Sequence, residues 1–261
     1  MNIQNIPRGD TLIKKGLGPK FDALVSFDYS QIEYRLLAYY LSVRLDDESM
    51  ADVFRSGRDV HAETARLILR LPADAELTDK ERQRGKTGNF SIVYAGGVPT
   101  IQRQQAIAGD PVTREEAKEI LKAIRTTMPG VYDLDQDIQT TVKERGYLRS
   151  ILGRILYPDP KIPERDARRK MLNALMQGGA ADIMRNAIVE CTRWRKAAGI
   201  HSQIICMVHD DMIWDAVDEE IPLLYNEVPK LMMYPKVSDV VPLEVDCVVG
   251  RSSWAEKEKY E

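Results

Sequence analysis

Four apolar runs of strand length lie near the two ends of the chain, at residues 23–27, 203–208, 212–217 and 243–249, and the stretch from about 47 to 145 carries helical spacing almost throughout. A sheet built from these runs has to be closed by contacts that span nearly the whole chain. The fold class that follows is α+β: an antiparallel sheet with packed helices, carrying an inserted, mostly α-helical subdomain. Within the insertion, helices are expected at 50–54, 60–71 and 78–94, after Gly96-Gly97, at 113–127 and after Pro129-Gly130. Thr113 followed by Glu116 is a capping-box signature for one of those starts. Beyond Gly146, the runs 147–152 and 154–157 predict a small hairpin, and a single long helix is expected over 163–198. The runs 203–208 and 212–217 form a second hairpin with His209, Asp210 and Asp211 in its turn, followed by a helix over 219–233 and the last strand.

Composition narrows the class. Of 261 residues 44% are hydrophobic and 30% charged, which excludes a disordered or fibrous chain. No apolar run approaches the roughly 18 residues of a membrane helix, and the N-terminus has no basic segment leading into an apolar one, so neither membrane insertion nor secretion is expected. Cys191, Cys206 and Cys247 are widely spaced and read as reduced thiols, in keeping with a cytoplasmic protein. The net charge of −3 gives no global sign of a polyanionic partner, but residues 143–170 hold nine basic side chains against four acidic ones, and Lys80, Arg82, Arg84 and Lys86 form a second basic cluster. Either cluster alone reads as a solvated face.

Two aspartates carry the first chemical signal. Asp28 ends a strand and Asp210 lies in a hairpin turn, and each taken singly is a turn or capping residue. If their strands are neighbours, both carboxylates project from one sheet edge, as Mg²⁺ requires: it takes one or two protein carboxylates and fills its octahedron with water and phosphate oxygens. Between them, Arg82, Lys86, Phe90 and Tyr94 recur every four residues on one helix face, a cationic-to-aromatic stripe suited to a nucleoside triphosphate. The structural alternative buries Phe90 and Tyr94 and leaves the cations in water. His61 likewise reads either as a satisfied buried histidine or as a phosphate contact, and Gly178-Gly179 as close helix packing.

Asp28-Tyr29-Ser30-Gln31-Ile32-Glu33-Tyr34-Arg35 resembles motif A of the family A DNA polymerases, Arg82 to Tyr94 resembles their motif B, and Val208-His209-Asp210-Asp211 is similar to motif C. Asn2-Ile3-Gln4-Asn5-Ile6-Pro7, Gly57-Arg58-Asp59-Val60-His61 and the Met176 to Ile183 segment match in the same order. The resemblance implies a palm at 1–43 and 147–261 and fingers at 44–146, acting as a DNA-directed DNA polymerase on primer-template DNA and dNTPs. It implies that Asp28 and Asp210, with the backbone carbonyl of Tyr29 and Asp211 as an auxiliary, hold two Mg²⁺ ions, for which Mn²⁺ substitutes. Lys86 is then a catalytic cation; Arg82, His61, Gln31, Glu33, Phe90 and Tyr94 bind the nucleotide, Glu33 as a sugar gate and Phe90 at the 3'-hydroxyl. Arg169, Asn173, Gln177, His209 and Asn5 are implied DNA contacts. The sequence departs from the family pattern at Ser91 and Ala95, where glycine is usual, and at Asp211, where glutamate is usual. No counterpart of the family's thumb or exonuclease-like domain precedes motif A, so a separate polypeptide carrying them is expected, as in a split, phage-type enzyme, with truncation of a longer chain as the rival reading. A catalytically weak DNA-binding subunit and a Mg²⁺-dependent nuclease are the alternative readings.

Overall fold

A computed structural model describes residues 6, 11–93 and 97–260. From the N-terminus, α1 (Thr11–Lys15) leads to β1 (Ala23–Tyr29), then to α2 (Ile32–Leu45) and α3 (Ser49–Arg55). Helices α4 (Val60–Leu69), α5 (Asp79–Val93), α6 (Val98–Ile107), α7 (Arg114–Thr127) and α8 (Pro129–Arg145) follow. The hairpin strands β2 (Leu148–Arg149) and β3 (Ile155–Leu156) precede α9 (Glu164–Arg169) and α10 (Met171–Ala198). The chain ends with β4 (Gln203–Val208), β5 (Asp211–Ala216), α11 (Ile221–Met232), α12 (Pro235–Ser238), β6 (Val245–Gly250) and β7 (Glu258–Lys259). This is the α+β class, with an antiparallel sheet and many helices.

The chain divides into two units. One comprises the chain up to Ile32, Ala180–Asp239 and Leu243 onward; the other comprises Glu33–Gly179 and Val240–Pro242.

The first unit holds a five-stranded sheet in the order β4-β5-β1-β6-β7, with every pairing antiparallel. β1 is central and buried along its length except at Asp28, which explains why its sequence is apolar without alternation. One face buries Val25, Phe27, Met212 and Trp214, and the Tyr29 hydroxyl on this face donates to the Met232 carbonyl of α11 at 2.5 Å. The other face buries Leu24 and Ile213 beneath Trp254. The strand β7, Glu258 and Lys259, is absent from the sequence expectation because it has no apolar pattern to betray it.

The second unit is helical apart from the β2–β3 hairpin. Ile101, Ala117, Ile120 and Ile124 form a core to which Ile68 and Leu121 add. The capping box at Thr113 and Glu116 is present, and Thr78 and Glu81 make the same exchange at the start of α5. Helices α4 and α5 approach closely at Gly85, where a Cβ would lie 2.2 Å from the His61 carbonyl oxygen. Arg35 is buried with its guanidinium 4.7 Å from the Phe54 ring centroid and bonded to the Pro242 carbonyl.

Three expectations are corrected. The helix expected over 163–198 is two helices, because the Lys170 amide is shared between the Asp166 and Ala167 carbonyls at 3.3 and 3.2 Å, which tightens and ends α9. The helix expected to reach 71 stops at Leu69, where Arg70 takes the left-handed conformation (φ 55°). The hairpin strands of 147–157 shrink to two residues each because the turn uses Ser150 to Arg154: the Ser150 amide donates to the Arg154 carbonyl at 2.8 Å, and Gly153 has φ 84°.

Candidate functional site

The sheet unit brings Asp28 and Asp210 to the same end of adjacent strands. Asp28 is exposed and lies opposite Asp211 on β5 and Asp246 on β6, and the next amide, that of Tyr29, donates to the Asp210 carbonyl at 3.1 Å. The end of β1 and the turn leading into its neighbour β5 thus carry the two carboxylates, with the backbone next to Asp28 bonded to that of Asp210. The turn between β4 and β5 is tight enough to put His209 in the left-handed region (φ 59°), leaving its side chain exposed. Gln31, just after β1, is also left-handed (φ 56°), and its Oε1 is buried with no partner among the described residues.

Asp211 differs from its neighbour. One of its oxygens lies 3.3 Å from the Lys257 Nζ, which also donates to the Ser26 hydroxyl at 2.5 Å and sits 5.2 Å from the Trp254 ring centroid. The other oxygen is buried with no hydrogen-bond partner among the described residues. Burial pushes the Asp211 carboxyl above the usual range against the pull of Lys257, and burial pushes Lys257 down. Lys257 has no counterpart in the sequence reading; only its place in the fold reveals it.

Divalent ions fit this arrangement. The donors are hard carboxylate oxygens, and one of them, on Asp211, is buried with no hydrogen-bond partner among the described residues. An open pair of carboxylates that leaves coordination positions for water and phosphate is what Mg²⁺ uses.

The helical unit assembles a second set. Asp59 caps α4, one oxygen accepting from the His61 amide at 2.8 Å and the other from Arg82 Nε at 2.5 Å. His61 is buried, edge-on to the Tyr34 ring at 5.2 Å, and its Nδ1 lies 3.1 Å from Asn89 Nδ2. That amide group also donates to the Val60 carbonyl while Asn89 Oδ1 accepts from the Thr64 hydroxyl, so the amide nitrogen faces the ring and Nδ1 accepts. The imidazole is therefore neutral with its proton on Nε2. Burial is the main reason its pKa falls to about 4, and the nearby Arg82 and Lys86 charges add to it against the pull of Asp59. Arg82 and Lys86 lie on α5 one turn apart, and the Arg82 side chain is 44% exposed. Phe90 ends this stripe, but its side chain, all of Tyr94 and Asn5 lie outside the described residues.

Glu33 is half-buried in the first turn of α2. Arg169 is exposed at the end of α9; Asn173 and Gln177 share a face of α10, Gln177 exposed and Asn173 with a buried Oδ1 that has no partner among the described residues. Within the basic stretch, Arg154 donates to the Gly178 carbonyl at 3.0 Å. Close packing accounts for the paired glycines: a Cβ at Gly178 would meet the Arg154 guanidinium at 2.9 Å, and one at Gly179 would meet Leu36 at 3.2 Å. Sequence reasoning missed the partnership of Asp59 with Arg82 and of Asn89 with His61. An aspartate directly before a helical run was the available signal for the first; nothing in the sequence announced the second.

Comparison with known proteins identifies the family of this α+β chain. The profile of DNA polymerase family A matches residues 1–256, so the chain belongs to that family. It is 30% identical over 98% of its length to the DNA polymerase I of Pseudomonas aeruginosa and 32% identical over 97% to that of Bacillus caldotenax, covering 28% and 29% of those proteins. The POL domain of Pol1 from M. smegmatis, solved in complex with DNA primer-template and dNTP, superimposes with a TM-score of 0.82 at 30% identity over 98% of this chain and 45% of that one. The chain thus spans under a third of the length of these curated relatives. No described helix is long and apolar enough to cross a membrane.

Proposed function

We propose that this chain carries out template-directed DNA synthesis, transferring a deoxynucleoside monophosphate to a primer 3'-hydroxyl with release of pyrophosphate. The observation that carries the reading is the placement of Asp28 at the end of β1 beside Asp210 in the adjoining β4–β5 turn, joined by the Tyr29-to-Asp210 backbone bond, in a chain of the DNA polymerase A family. Asp28 and Asp210, with the Tyr29 carbonyl, would hold two Mg²⁺ ions, with Mn²⁺ as a substitute. Such ions, when bound, lower the pKa of the attacking hydroxyl and neutralise phosphate charge. The Asp211–Lys257 pairing favours an auxiliary role for Asp211, since one of its oxygens is already engaged.

Arg82 and Lys86 bind the triphosphate, Lys86 toward the leaving pyrophosphate. His61, neutral and with Nδ1 engaged by Asn89, retains Nε2–H as a donor toward phosphate oxygen. Gln31 and Glu33 act on the sugar side of the nucleotide, Glu33 excluding a 2'-hydroxyl, while Phe90 meets the 3' position and Tyr94 the templating pair. Arg169, Asn173, Gln177, His209 and Asn5 contact primer and template, in part through minor-groove acceptors common to all correct pairs. Residues 1–43 and 147–261 act as palm and residues 44–146 as fingers, in a cytoplasmic enzyme. A separate polypeptide supplying a thumb draws no support from the relatives, in which the matched stretch is part of one longer chain.

The test is incorporation against each of the four template bases. With a primed template and Mg²⁺, the complementary dNTP should extend the primer at least about a hundredfold faster than the other three. Extension indifferent to the template base, or primer shortening in place of extension, would overturn the reading.

A further inference from the structure

We propose that Asp59 is a positioning residue for the nucleotide: it holds the Arg82 guanidinium by one edge so that the remaining donors are presented to the triphosphate. The inference rests on the assignment of Arg82 to the triphosphate made above.

The geometry separates two roles an acidic neighbour of a phosphate-binding arginine can have. A carboxylate that spans the outer fork of a guanidinium occupies the donors a phosphate needs and competes with it. Asp59 instead takes Nε, the donor nearest the side-chain stem, at 2.5 Å. Arginine has five N–H donors, so the four on the two terminal nitrogens are not consumed by this bond. The carboxylate is itself fixed, since its second oxygen accepts the His61 amide at the start of α4. The chain of contacts runs from the α4 backbone through Asp59 to Arg82 on α5, and α4 and α5 are locked at close approach by Gly85. The side chains are 44% and 33% exposed, where an ion pair contributes little to stability, so fold maintenance does not account for this contact. Arg82 and Lys86 both act electrostatically on His61, so the held guanidinium and Lys86 flank the same imidazole.

Coulomb's law supplies the discriminating sign. Removing a negative charge beside a triphosphate site should by itself tighten anion binding. A loss of affinity on removing Asp59 is therefore a loss of positioning, and the variant lacking both Asp59 and Arg82 separates positioning of Arg82 from positioning of His61 through the α4 cap.

Asp59→Asn isolates the effect, because asparagine still caps a helix through its carbonyl oxygen while presenting an N–H₂ donor, not an acceptor, to Arg82. Titrate dATP with Mg²⁺ into the 261-residue chain and its Asp59→Asn, Arg82→Ala and doubly substituted variants, with thermal melting beside each. Where primer extension is measurable, compare KM and kcat. The expected result is about tenfold weaker dATP binding in Asp59→Asn, seen in KM more than kcat, an unshifted melting temperature, and a double variant no weaker than Arg82→Ala alone. Tighter binding in Asp59→Asn would make Asp59 a competitor and overturn the proposal. Losses that add in the double variant would show that Asp59 does not act through Arg82, and would also overturn it. If Arg82→Ala binds dATP as the parent chain does, the assignment of Arg82 itself falls, an outcome distinct from the other two.

Discussion

The amide of Tyr29 donates to the carbonyl of Asp210 at 3.1 Å, joining positions 181 residues apart in sequence and setting the Asp28 side chain beside the β4–β5 turn. Neither segment alone carries both carboxylates. The carboxylate pair exists because β5 pairs with β1 in the register Asp28 to Asp211, and a one-residue slip would turn Asp28 to the opposite face of the sheet.

Asp211 and Lys257 form a coupled pair on that face. Lys257→Met leaves a half-buried carboxylate without its cation, and Asp211→Asn leaves a half-buried ammonium without its anion, so each should destabilise the chain by about 1–3 kcal/mol. The double variant should cost less than the sum, with a coupling of about 1 kcal/mol or more in a chemical-denaturation cycle. Additive losses would mean that the contact carries no energy.

His61 gives the helical unit a defined pH dependence. Its pKa is about 4 in the folded chain against 6.5 for the free side chain, so between those values the unfolded chain binds a proton that the folded chain excludes. The stabilisation is therefore complete above about pH 6.5 and is lost as pH falls toward 4, by up to about 3 kcal/mol. Denaturant midpoints at several pH values check this. His61→Gln should flatten the His-dependent part of the slope, and an unchanged slope would contradict the buried neutral imidazole.

Gly85 should tolerate no side chain. A methyl there would lie 2.2 Å from the His61 carbonyl oxygen and 2.7 Å from the Ala65 amide nitrogen, both backbone atoms that can yield only if α4 and α5 separate. Gly85→Ala is expected to cost about 1–3 kcal/mol despite the better helix propensity of alanine, read as a lowered melting temperature. Gly57, where nothing lies within 4 Å, fails for another reason: its φ of 68° strains any L side chain.

Much of the fold was legible because its signals are local. The unbroken apolar run of β1, the Thr113 capping box and the glycine-bounded helices each announce themselves within a few residues. The break at Lys170 and the short β2–β3 ladder were not legible, since both turn on how a backbone amide or turn settles, and β7 has no pattern to read. At the site, Asp28 and Asp210 stood out through motif resemblance, and their adjacency required the sheet register. Asp59 and Asn89 act through neighbours on another helix, and Lys257 through side-chain contacts with Ser26 and Asp211 far away in sequence, so their roles appear only in three dimensions.

The central claim is that Asp28 and Asp210 are the carboxylates on which nucleotide addition depends. The direct measurement is single-nucleotide extension of a primed template at low salt with Mg²⁺, by the parent chain and by its Asp28→Asn and Asp210→Asn variants, with the melting temperature followed in parallel. Each variant is expected to remain folded and to lose about a thousandfold or more of the rate, the scale on which removal of a principal catalytic group acts. Extension that persists within about tenfold in either folded variant would contradict the account.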